Sequence, residues 1–339
     1  MPILKNKKGV SQLELHSAKR LAHAAIAISI VAILISIVSV IFLAASIGSV
    51  IARIPSTTVT TTVNTSFAHL FPDINQPLNS SELSIINNAP DQYFELAGEM
   101  YLNHTLNNQV GVSTKMVPVY IYGNKTSIIY LGSITCIYCG ENRWAMAMAL
   151  SRFGTFGSLY KGFSSEGDGD VPTLYWKQDY INGSTMDFGA NYTSKYFNFI
   201  VFEDTDPITG GFSLQPMSVM QQEVNQSGSQ EYINAFSQIV QRNDFSGTPY
   251  TVWGKFEVPG ADAIDFGNTT PTSASDLQIA QMTHAQILAS LSNPTSQFAL
   301  TEYAAADLYI AMACASINNT AGVCALPAIH KIEIQNGYQ

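Results

Sequence analysis

The stretch IIYLGSITCIYCGENRWAMAMALSRFG, residues 128–154, decides how this chain is read. Its first part continues a run rich in Ile, Tyr and Thr (TSIIYLG, 126–132) that reads as a β-strand. Its last part reads as a helix over 140–153, with Trp144, Ala147 and Met148 at i, i+3 and i+4 on one apolar face. Between them stand Cys136 and Cys139, a Cys-Ile-Tyr-Cys pair at the start of the helix. Unpaired backbone N–H groups and the positive end of the helix dipole stabilise a thiolate there. Cys136 is therefore expected to be the exposed nucleophile and Cys139, one turn inward, the resolving thiol.

Around this unit, strands and helices alternate. VPVYIYG (117–123) reads as a strand joined to 126–132 through Asn124 and Lys125, and DQYFELAGEMYL (91–102) as a helix capped by Asp91, with Phe94, Leu96, Ala97 and Tyr101 available for burial. Strands are expected at 173–178 and 196–202, a helix over 217–241 and a hairpin at 251–258 turning at Gly254 and Lys255. A capping box at Ser273–Asp276 opens a helix to Leu291, and a last apolar helix covers 295–317. The alternation predicts an α/β sheet flanked by helices.

Gly247-Thr248-Pro249 precedes the hairpin. In the thioredoxin fold a cis-proline sits before the corresponding strand and faces the dithiol, and GTPYTVWGKFEVPGA (247–261) resembles the matching run of exported thiol-disulfide oxidoreductases. Residues 139–249 exceed a minimal thioredoxin, implying an insertion at about 155–243, as in the periplasmic oxidase branch. The segment 128–154, the run YTSKYFNFIVFE (192–203) and the Cys-containing C-terminus together resemble an archaeal family of membrane-anchored thioredoxin-like proteins, catalogued as domain of unknown function 929. The resemblance covers the chain outside the stalk described below and implies a thioredoxin-like central sheet. It carries no established substrate. Ile137-Tyr138 has neither the His of strong oxidants nor the Gly-Pro of the cytosolic reductant, so direction stays open.

The remaining cysteines, Cys314 and Cys324, end the last helix and the loop after it. They read as a structural disulfide, which export permits; a second redox pair or a four-thiolate zinc site are the alternatives. Arg143 reads either as electrostatic support for the thiolate, opposed by Glu141, or as a solvated surface residue; Trp144 reads as core. Glu166, Asp168 and Asp170 alternate as calcium ligands do but lack the rest of such a set. The six histidines show no metal spacing, and no phosphate loop, dinucleotide fingerprint or hydrolase elbow occurs, so no cofactor or metal is expected.

The chain of 339 residues is 46% hydrophobic and 12% charged, which excludes disorder, and its four cysteines are too few for a disulfide scaffold. A net charge of -9 argues against a nucleic-acid binder. The charge is unevenly spread: six of 16 basic residues and one of 25 acids precede residue 54, leaving 10 basic against 24 acidic beyond it, or -14. Residues 1–23 form a basic head and 24–52 an uncharged apolar stretch long enough to cross a bilayer of about 30 Å. A buried core helix, a cleavable signal peptide and pilin-type processing before Val10 are weaker readings, because the stretch is too long for the first two and Lys19 and Arg20 intervene for the third.

The positive-inside rule then puts the head in the cytoplasm and the body outside. Residues 53–80 read as a Ser/Thr-rich stalk and 81–339 as the extracytoplasmic domain, over which most of nine Asn-x-Ser/Thr sequons suit a glycosylated surface protein. The expected function is a membrane-tethered extracytoplasmic thiol-disulfide oxidoreductase acting on protein thiols or disulfides, its electron partner unknown. The competing class is a non-enzymatic surface interaction protein on the same scaffold.

Overall fold

The computed structural model describes residues 73–106, 110–111, 113–134, 136–164, 171–178, 186–204, 217–242, 248–258 and 282–339. All lie in the second of two units into which the chain divides, Ser66–Gln339. The expected head and membrane anchor, the 53–72 part of the stalk, the acidic loop at 166–170, the capping box at 273–276 and the sequons at Asn64, Asn182 and Asn268 fall outside the described residues.

The fold is mixed α/β, with eight α-helices among the described residues. Its main sheet is built on β3 (Lys125–Ser133), which is bonded in parallel to β9 (Phe197–Asp204) and antiparallel to β10 (Tyr250–Trp253). β11 (Phe256–Val258) and β1 (Lys115–Met116) extend the β10 side, β7 (Met186–Phe188) the β9 side, and β2 (Ile121–Tyr122) pairs with the start of β3. Alternation along β3 sends Ile128 and Tyr130 to one face and Ile129 and Leu131 to the other. Each face meets its own hydrophobic layer, so the middle of the strand, Ile128–Leu131, is apolar without alternation.

One layer is formed by α4 (Met217–Gln226) and α5 (Gln230–Arg242), which place Met220, Val224, Phe236 and Ile239 against Ile200 and Phe202. The single helix expected over 217–241 is two, because Gly228 adopts φ 68° between them. The opposite layer holds α1 (Ser80–Asn87), α2 (Asp91–Leu102), α3 (Ile137–Ser151), α6 (His284–Leu291), α7 (Gln297–Ser316) and α8 (Pro327–Asn336). By length and composition α7 could span a membrane, but all of its apolar window is buried inside the body, which makes it the core helix.

Several expectations are corrected. Asp91 is not the cap of α2 but its first residue; Pro90 holds the cap position, and the Asp91 carboxylate pairs with Arg152 instead. Leu96 faces solvent while Gly98 is buried. The strand expected at 117–123 shrinks to Ile121–Tyr122, since Pro118 has no N–H to give a ladder. α6 opens at a capping box between Thr283 and Gln286. Residues 73–79, counted with the stalk, pack on the body: Asn75 N–H donates to Lys161 O, and Leu78 is buried. The stretch 155–243 contributes β9 to the middle of the sheet, alongside small two-stranded sheets from β4 (Gly154–Phe156) with β8 (Tyr192–Ser194) and β5 (Tyr160–Ser164) with β6 (Val171–Tyr175).

Cys314 and Cys324 form a disulfide with Cα atoms 5.5 Å apart, tying the end of α7 to the short helical turn Gly322–Ala325. This pairing removes half the ligands of the four-thiolate zinc alternative and leaves Cys136 and Cys139 as the free thiols. Closing a loop ten residues apart stabilises by about 3 kcal/mol. The Cys314→Ser/Cys324→Ser pair is therefore expected to melt roughly 5–10 °C lower than the oxidised protein; an unchanged melting temperature in calorimetry would show the bond to be mechanically idle.

Candidate active site: a buried dithiol

β3 ends at Ser133, and Ile134 N–H donates to Asp204 O at 3.0 Å, fixing the chain as it leaves the sheet. Cys136 then occupies the N-cap of α3, with its sulfur accepting the Cys139 N–H at 3.3 Å. A thiol here takes the place of the Ser or Asp side chain usual at an N-cap. Helix α3 starts at Ile137, three residues before the expected 140, so Cys139 lies within its first turn.

From the other side, the Cys136 Sγ–H donates to Thr248 O at 3.7 Å, and the Thr248–Pro249 bond is cis. The structure therefore brings four sequence-selected residues together: Cys136, Cys139, Thr248 and Pro249, the last leading directly into β10. Gly140 allows the β5–β6 hairpin to close over this turn: a Cβ there would meet Ser164 Oγ at 2.8 Å, and its carbonyl accepts from Thr173 Oγ1. Cys136 is not the exposed nucleophile expected: both cysteines are enclosed, Cys136 at 3% exposure and Cys139 at 0%, because the Thr248–Pro249 turn and the β5–β6 hairpin close over the helix start.

The two thiols are electrostatically unequal. The Cys139 side chain hydrogen bonds to Cys136 and lowers its pKa against the opposing effect of burial, with further help from the Cys139 N–H, the Thr248 side chain and the Arg143 charge. Burial pushes Cys139 well above the ordinary thiol value, and the hydrogen bond to Cys136 adds to it. One sulfur is thus poised to ionise first.

Arg143 is not the solvated surface residue that one reading allowed. Fourteen of the fifteen residues of α3 are buried, because α7, the sheet and the β5–β6 hairpin surround the helix, and Arg143 is enclosed with them. Its guanidinium pairs with Glu203 Oε1 at 2.5 Å and donates to Ser133 O at 3.0 Å and Ser164 Oγ at 3.2 Å. Glu203 lies beside Gly132 in the parallel register and receives the Tyr130 hydroxyl at 3.5 Å. Burial raises Glu203 to a pKa of about 7 although Arg143 opposes the shift. Its second oxygen, Oε2, is buried and has no hydrogen bond among the described residues.

Glu203 and Tyr130 were missed from sequence. The available signal was an acid at the end of the apolar run FNFIVFE (197–203), where a solvated strand end is the ordinary reading. Trp144 packs in the core as expected, donating Nε1–H to Pro172 O at 3.1 Å. Among the described residues no cluster of His, Cys, Asp and Glu is arranged to hold a metal.

Residues 117–246 match the family described as Domain of unknown function (DUF929). The match takes in the dithiol, Arg143 and Glu203, and stops short of Thr248 and the Cys314–Cys324 disulfide, so it is narrower than the resemblance read from sequence. No curated protein and no solved structure matches the chain.

Proposed function

We propose that the body is a thioredoxin-like thiol-disulfide oxidoreductase, held outside the cytoplasm by an anchor at 24–52 and acting on disulfides or thiols of client proteins. The observation that carries this reading is the Cys136 sulfur at the N-cap of α3, bonded by the Cys139 N–H and faced by Thr248 O. The strand order β9-β3-β10-β11, with β3 leading into the dithiol helix and Pro249 into β10, supports the fold assignment.

In the reducing direction, the Cys136 thiolate attacks one sulfur of a client disulfide, forming a mixed disulfide and expelling the other sulfur as a thiolate, which takes a proton. Cys139 then loses its proton and attacks Cys136 Sγ. The client leaves as a dithiol and the enzyme holds a Cys136–Cys139 disulfide; the oxidising direction is the reverse. Glu203 is near enough for its charge to bear on Cys139, and its pKa of about 7 suits it to receive that proton.

The enclosure of both sulfurs favours one second reading, a scaffold in which the pair is structural. Turnover separates the two. Full-length protein is expected to catalyse insulin reduction and the refolding of a scrambled substrate, and Cys136→Ser to bring both to the uncatalysed rate. Activity that survives Cys136→Ser, or a wild-type rate no higher than that of dithiothreitol alone, rules the enzyme reading out.

A further inference from the structure

Helix α7 carries two acids, Glu302 and Asp307, that the dithiol chemistry does not use. Both are fully buried, and neither has a hydrogen bond of ordinary geometry to either carboxyl oxygen among the described residues. Asp307 closes on Gly98 of α2, which also meets α8: a Cβ at Gly98 would come within 2.8 Å of Ala328 Cβ, 3.0 Å of Asp307 Oδ2 and 3.5 Å of Ile332 Cδ1. An ionised carboxylate in such a place, without a paired cation or hydrogen bonds, is strongly disfavoured, so the group keeps its proton instead.

We propose that the body is an acid-favouring fold, in which Glu302 and Asp307 are sealed into the core as neutral carboxylic acids and weaken the structure when the medium draws their protons off.

The charges facing them leave this assignment intact. Around Asp307, Glu95 of α2 is a second acid that reinforces protonation, and Arg152 at the end of α3 opposes it, but Arg152 is already bonded to Asp91 and to Ala89 O. Around Glu302 the opposing group is the backbone N–H of Ala145 on α3; the carboxyl nearest along that helix is the buried Glu141. For both acids burial dominates and raises the pKa well above the ordinary value.

A carboxyl that holds its proton more tightly folded than unfolded contributes stability fully below its unfolded pKa of about 4, and loses that contribution as pH rises toward the folded value. Across that window the folding equilibrium constant falls roughly tenfold per pH unit for each such group. Glu203, Glu231 and Glu333 are also raised and act in the same sense, whereas His284, lowered by burial, acts in the opposite one. Substitution isolates the two α7 acids from these.

The test is urea unfolding of the full-length protein in detergent micelles, followed by tryptophan fluorescence from about pH 5 to about pH 8 with the dithiol kept reduced. The wild-type midpoint is expected to fall steadily with pH. Glu302→Gln and Asp307→Asn are each expected to remove about one proton's share of that slope, roughly tenfold in the equilibrium constant per pH unit, and the double variant both shares. A midpoint that is flat or rises with pH overturns the proposal, as does a double variant that keeps the full wild-type slope. If the variants do not fold, the infrared carbonyl band of protonated carboxyls in the native wild type decides at about pH 8, where Glu203 has largely ionised. Its presence supports neutral core acids and its absence overturns them.

Discussion

Replacing Arg143 with Met is expected to remove about 3–5 kcal/mol of stability above neutral pH, the cost of leaving one member of a buried ion pair alone. Arg143 and Glu203 are both wholly enclosed, and the guanidinium also holds Ser133 O at the end of β3 and Ser164 Oγ on β5. Without it, Glu203 becomes a bare carboxylate in the core unless it takes up a proton. Glu203 titrates at about 7 even beside Arg143, so protonation is readily available below that value. The penalty should therefore be small in acid and grow as the pH passes 7, an expectation that follows from the raised pKa of the carboxyl.

The double variant Arg143→Met/Glu203→Gln removes both charges and is expected to recover most of the loss, since apolar or neutral replacements of a buried pair are often close to neutral. Urea unfolding of the four proteins as a double-mutant cycle measures this. Penalties that simply add, with no coupling between the positions, would mean that the pair is not the unit described. Variants that fold carry a second reading. Because the Arg143 charge is among the causes that lower Cys136, the pH at which iodoacetamide half-alkylates that thiol should move upward without it.

The largest effect on activity is expected at Cys139. Serine there leaves Cys136 at the helix N-cap, still bonded by the backbone N–H of residue 139, but removes the sulfur that would release a client. Turnover should fall to background while a covalent adduct accumulates through Cys136, visible as a thiol-sensitive band on a non-reducing gel. The Cys136→Ser/Cys139→Ser protein, which lacks both sulfurs, should form none. If Cys139→Ser neither loses turnover nor traps a partner, the division of labour between the two sulfurs is wrong.

How far the structure was legible in sequence differs from one residue to the next. Cys136 and Cys139 stand between a β-branched run and a helical period, both local signals, and the strand–turn–helix context follows from a few neighbouring residues. The β10–β11 hairpin is local in the same way, with Gly254 at φ 64° supplying the turn. The support that Arg143 gives the thiolate was one of its two readings, but its burial was not legible, because an arginine in a helix is ordinarily solvated and enclosing it requires α7 and the β5–β6 hairpin, which lie far along the chain, to close over α3. Glu203 was hidden for a related reason. Only the parallel register, which sets it beside Gly132, brings it to the dithiol end of the sheet. The break at Gly228 was under-read because isolated glycines are tolerated in helices, and Asp91 was over-read because a favourable capping residue was available while Pro90 took the position.

The placement of β3 between β9 and β10 sets the order in which the dithiol can be enclosed during synthesis. Thr126 finds its parallel partner only when Phe197 has been made, and Leu131 its antiparallel partner only with Tyr250. Pairings so distant in sequence form late, and chains are extended from the N-terminus at roughly 5–20 residues per second. For some seconds after Cys136 and Cys139 emerge, the nascent chain therefore lacks the strands that bracket them, and the thiols meet whatever redox environment surrounds the growing polypeptide. The oxidation state with which the protein begins its working life is then decided by that environment rather than by the finished fold.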